Sequence, residues 1–171
     1  MKRKFAVLTL LVVLIPSQVF AQDNWDKYKP RTLKEITTDL AEASFKNPDV
    51  LITDSKGGSI VLSADTFPSQ VKVVYTGSSQ KVSDKKKEII AAWLKTYGKP
   101  QEYLNLFETE YLFTESSIEY WLPVQKQVAS FFEKELQKRD KVNLYVAWVG
   151  ARKESGGIDH VFLVNEFEKK E

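Results

Sequence analysis

The chain has 171 residues, with 25 Lys and Arg against 23 Asp and Glu, one His and no Cys. That length is one ordinary domain, and a net charge of +2 excludes a strongly basic nucleic-acid binder and an acidic solvating tail. The missing cysteines exclude disulfides, thiolate metal sites and thiol catalysis, and the lone His160 excludes a centre built on two imidazoles.

Residues 1–21 read as a cleaved signal peptide. Lys2, Arg3 and Lys4 form a cationic start, Phe5 to Ile15 is apolar apart from Thr9, Pro16 breaks the helix, and Val19-Phe20-Ala21 places small residues where a signal peptidase cuts. The apolar run is well short of the ~20 residues that span a bilayer as a helix. No Cys follows it to carry a lipid. Membrane contact is therefore expected only through this segment, before cleavage. Cleavage after Ala21 leaves 22–171 as a single α+β domain with 22 basic and 23 acidic residues. Its net charge is −1, so the basicity of the precursor belongs to the export address. An exported chain without disulfides points to a periplasmic or secreted bacterial protein.

In the mature chain, Thr32-Leu33-Lys34-Glu35 has the form of a capping box. Leu33, Ile36 and Leu40 then predict a helix over 33–45, which Asn47-Pro48 ends. Three short strands follow. Val50 to Ile52 runs into the turn Ser55-Lys56-Gly57-Gly58, Ile60 to Ala64 alternates, and Val71 to Thr76 alternates until Gly77-Ser78-Ser79. Ser83 predicts the N-cap of a second helix, whose face is Ile89, Ile90, Trp93, Leu94 and Tyr97. Gly98 and Pro100 close it. The alternation from Thr109 to Thr114 predicts a strand over about 108–115, Ser116-Ser117 a turn, and Ile118 to Leu122 either a strand or a helical entry. A third helix is expected over 123–138, with Pro123 in its first turn. A hairpin of 142–151 and 158–167, apolar on both faces and therefore central, ends the chain. Strands arriving mostly in hairpins predict a mainly antiparallel, curved sheet of five to seven strands with two or three packed helices.

Little in this order carries chemistry. His160 follows Asp159 in a strand, so the two point to opposite faces. Glu108, Glu110, Glu115 and Glu119 gather near a turn, and Glu108 and Glu110 have the spacing of a glycosidase pair. A solvated strand face offers the same pattern. The Gly57-Gly58 and Gly156-Gly157 pairs match no phosphate-binding motif and read as turns, and Lys85-Lys86-Lys87 reads as a solvated helix start. No cofactor or metal is expected. Trp93 and Trp148 fall on core faces. Trp25, Tyr120 and Trp121 lie in less regular segments, where aromatic rings bind sugars, peptides or proteins, and they are the candidate binding residues. The leading expectation is an exported, non-catalytic domain binding an envelope protein or glycan, not nucleic acid. The alternatives are a carboxylate-dependent glycan hydrolase and a carrier of a small apolar ligand.

Overall fold

The structure is a computed structural model that describes residues 25–53 and 58–170. The expected signal peptide and most of the Ser55–Gly58 turn lie outside the described residues.

Local signals place the helices. Thr32 and Glu35 form the expected capping box: the Thr32 hydroxyl accepts from the Glu35 amide at 3.0 Å, and the Glu35 carboxylate accepts from the Thr32 amide at 2.7 Å. They start α1 (Leu33–Glu35), which passes through a π-helical stretch (Ile36–Leu40) into α2 (Ala41–Lys46). Ser83 caps α3 (Asp84–Thr96) by accepting from the Lys86 amide. That helix ends in a Schellman arrangement. Gly98 has φ +62°, its amide donates to the Lys95 carbonyl, and the Lys99 amide donates to Leu94. The expected third helix is shorter, α4 (Lys126–Glu135), because Pro123 lies in a strand rather than in its first turn.

Among the described residues, eight strands form one mixed sheet. They are β1 (Lys29–Pro30), β2 (Val50–Thr53), β3 (Ser59–Leu62), β4 (Ser69–Lys81), β5 (Thr109–Glu115), β6 (Ile118–Val124), β7 (Lys141–Glu154) and β8 (Gly157–Lys169). The expected mainly antiparallel, curved sheet of five to seven strands is met in part: the sheet is mixed, has eight strands among the described residues, and closes into a five-stranded barrel with extra strands. Ladders run from β4 to β5, β6, β8 and β7, and β7 returns to pair with β4. Pairing is antiparallel except for β1–β4 and β6–β8. β1 adds beside β4, and β3 and β2 extend from β7.

The closing device is β4. Its alternation was expected to stop at Gly77, yet the strand continues through it. The register slips between Tyr75 and Ser79, with Gly77 at φ +82°. A bulge there bends the strand, so that its first half pairs with β7 and its second half with β5. Counted from β4, the barrel strands run first, second, third, fifth, fourth around the ring, with α4 between third and fourth. This is the Greek-key connectivity of OB-type barrels.

Two cores result. Inside the barrel, Val73, Tyr75, Phe113, Leu122, Leu144, Trp148 and Phe162 fill the lumen. Phe132 of α4 plugs one end against Tyr75, Tyr111, Phe113 and Phe167. Outside, α3 lays Ile89, Ile90 and Leu94 on Ile60, Leu62, Val149, Val161 and Leu163. The β7–β8 hairpin is thus packed on its inner face and over much of its outer face, in keeping with its apolar sequence on both sides. Where β3 crosses β7, Gly150 allows the approach: a Cβ there would lie 2.4 Å from the Val61 carbonyl oxygen.

Candidate functional site

The outer layer does not cover the whole outer face of β7 and β8. Ala147, Val149, Leu163 and Asn165 floor an open cleft of about 690 Å³. One wall is the C-terminal half of α3, with Trp93 and Leu94, and the 3-10 helix Gln101–Leu106, with Tyr103 and Leu106. The other is Lys27 and Tyr28, together with Thr66 and Pro68 from the β3–β4 loop.

Its aromatic walls are held in place. The Trp93 indole nitrogen donates to the Ser63 carbonyl at 3.0 Å and the ring stacks obliquely on Tyr97. Tyr28 meets Tyr145 edge to face at 5.4 Å, and its hydroxyl accepts from the Asn165 amide at 3.3 Å. Tyr103 is 47% exposed. Gln125, Asn165, Lys27 and Lys99 add polar groups around these rings. A concave, mostly apolar surface with a few polar groups, of this volume, is the usual form of a ligand site.

Of the three sequence candidates, Tyr120 turns inward and packs on the barrel core, where burial raises its phenol and the Glu115 carboxylate adds to the shift. Trp121 points outward, half-buried, opposite Leu112 on β5. Successive positions of β6 thus face opposite sides, and the structure does not join these two rings in one site. Trp25 begins the turn that leads to Tyr28, and its side chain lies outside the description. Tyr28, Trp93 and Tyr103, which the sequence left unassigned to any site, are the aromatics that shape the cleft. The one legible hint was Trp93, at the edge of the apolar face of α3.

The acidic group does not form a pair in a cleft. Glu108 is exposed. Glu110 is 1% exposed and spends both oxygens, one on the Lys86 ammonium at 2.6 Å and one on the Gln80 amide at 2.8 Å. Lys86 donates also to the Trp121 carbonyl at 2.8 Å. Glu115 accepts from the Leu33 and Lys34 amides, anchoring the start of α1. Nearby Asp159 has its carboxyl raised by loss of solvent; Lys86 opposes this shift and Glu110 adds to it. Arg152, buried, pairs with Glu88 and Glu154. His160 lies against Trp148, and burial pushes its imidazole down to about 4, so it is neutral at physiological pH. Among the described residues no three His, Asp or Glu side chains converge on a metal position, and no helix is long and apolar enough to cross a membrane. Comparison with family models, curated proteins and solved structures gives no match.

Proposed function

We propose that the mature chain is an exported binding domain that takes a segment of a cell-envelope glycan in the aromatic cleft. The observation that carries this reading is the cleft itself: Tyr28, Trp93 and Tyr103 offer ring faces and edges for the apolar face of a sugar, and Gln125 and Asn165 offer amides for its hydroxyls. Two further observations favour binding over the alternatives. The lumen is packed with side chains, which removes support from a carrier with an internal cavity. Glu110, half of the suggested hydrolytic pair, is locked in a buried ion pair.

The test is calorimetric titration with envelope glycan fragments solubilised by a muramidase, read beside tryptophan fluorescence. Saturable binding is expected, weakened about tenfold or more, ~1.4 kcal/mol, by Trp93→Ala and by Tyr103→Ala. Tyr103 is exposed, so its variant tests the site without a folding cost. Wild-type affinity in both variants would refute the assignment.

A further inference from the structure

We propose that a second groove, over the outward face of β4, binds a small hydroxylated anion, a molecule carrying a phosphate or carboxylate beside a hydroxyl. This does not rest on the aromatic cleft. The groove has a volume of about 630 Å³, with Val74 and Val142 in its lining and Arg31, Lys72, Lys141 and Lys170 around them. The two acids in the same lining are already engaged. Glu115 accepts from the Leu33 and Lys34 amides at 2.9 and 3.1 Å, and Glu35 accepts from the Thr32 amide at 2.7 Å. Of the cations, Arg31 donates to the Ser69 hydroxyl and Lys170 pairs with Glu168, while Lys72 and Lys141 make no ion pair among the described residues. Four cations against two carboxylates leave the lining with a positive excess, although the mature chain as a whole is not positive.

Two independent features make this more than a cationic rim. Asn143, opposite Lys72 on β7 and 2% exposed, is part of the wall. Its amide nitrogen donates to Glu168 at 3.0 Å, while its buried carbonyl oxygen finds no hydrogen-bond partner among the described residues. A buried acceptor left unmatched is destabilising, and a ligand hydroxyl would match it. The wall of the barrel also has a notch here. On the edge away from β7, β4 pairs with β1 at Ser69 and Gln70 and with β5 from Val74, so Val71–Val73 have no strand neighbour. A bare anion would answer the lysines but not Asn143, and a neutral sugar would do the reverse; a ligand with both groups answers both.

The experiment titrates the protein with glucose 6-phosphate, glucuronate, glucose and inorganic phosphate, following backbone amide shifts by NMR. At least one of the two charged sugars is expected to bind about tenfold more tightly than glucose and than inorganic phosphate. The comparison between them separates a phosphate site from a carboxylate site. Shifts should fall at Arg31, Lys72 and Asn143, and affinity should fall with added salt. The double variant Lys72→Gln, Lys141→Gln changes two exposed side chains, so it keeps the fold, and should weaken binding about tenfold or more. Trp93→Ala should leave it unchanged, which separates failure here from failure of the glycan cleft. Inorganic phosphate binding as tightly as the charged sugars, absence of saturable binding by either, or wild-type affinity in the double variant would each overturn the proposal.

Discussion

Breaking the Lys86–Glu110 pair tests the physical account of the fold most directly. The ammonium and carboxylate are 2.6 Å apart, with side chains only 9% and 2% exposed. Both were taken out of water when the N-terminal turn of α3 docked beside β5 and β6. Glu110→Leu leaves the ammonium buried with the Trp121 carbonyl as its remaining acceptor, and strips Gln80 of its partner. Lys86→Met leaves a buried carboxylate with only the Gln80 amide. Each single variant should lose about 3–5 kcal/mol, because an uncompensated buried charge remains. The Glu110 variant should sit at the lower end, since Asp159 lies close enough to interact with Lys86. The double variant should come within ~1 kcal/mol of wild type or exceed it, because neither charge is then left alone. A domain of this kind has about 5–15 kcal/mol in all. With a urea slope of ~2 kcal/mol/M, the single variants should therefore unfold roughly 2 M earlier. Lys85→Gln is the control: its pair with Glu154 is 58% and 38% exposed, so its loss should cost less than about 1 kcal/mol. Urea unfolding of the five proteins gives the answer. Single variants within ~1 kcal/mol of wild type, or a double variant that loses the sum of both, would refute the reasoning.

Acid should weaken the fold through His160. Its imidazole is lowered from 6.5 to about 4 by burial, so the unfolded chain binds the proton more readily. The contribution is complete above pH 6.5, falls as pH drops towards 4, and reaches at most about 3 kcal/mol; His160→Phe should flatten that part of the stability–pH curve relative to wild type, and parallel curves would count against it. Gly150→Ala places a methyl group against the Val61 carbonyl and is expected to cost a few kcal/mol, about 1–3, with a lower melting temperature, whereas Gly156→Ala, with open space around it, should melt within a degree or two. Deleting residues 22–31 removes Tyr28 from the aromatic cleft and Arg31 from the anion groove, so both titrations should weaken together. The barrel core contains none of these residues, and circular dichroism should stay near that of wild type.

What was legible in the sequence was what neighbours in the chain decide. The capping box at Thr32, the Ser83 cap and the Gly98 stop of α3 each depend on hydrogen bonds spanning a handful of residues, and each formed where the pattern put it. The β5–β6 turn was also readable, with Ser116 and Ser117 both at positive φ. Barrel closure was not, because it depends on which edge β4 offers after its bulge, and alternation is the same on either edge. Pro123 misled for a related reason. A proline suits the first turn of a helix and also a strand position that donates no ladder bond, and the pairing of Val124 with Val164 decides for the strand. Paired glutamates in a sequence likewise cannot reveal that a lysine 24 residues earlier takes one of them out of solvent.

The same distinction explains why the sites escaped the sequence. The aromatic cleft and the β4 groove are each assembled from segments distant in the chain, and each is a place where covering elements stop short of the sheet. Neither has a motif, because neither depends on spacing within one element. They share one neighbour, the segment from Trp25 to Arg31. It supplies Lys27 and Tyr28 to the cleft and Pro30 and Arg31 to the groove, while β1 fastens it to β4 through Lys29 and Pro30. Its backbone attachment is short, two ladder positions with the Lys29 amide donating to Pro68 and the Arg31 amide to Gln70, and Tyr28 on Tyr145 and Asn165 and Arg31 on Ser69 add side-chain contacts. A short strand so held is a low-stability element of the fold. Ligand bound on either side would hold it in place, so occupancy of one site should favour the other through the ordering of this strand rather than through the packed barrel between them.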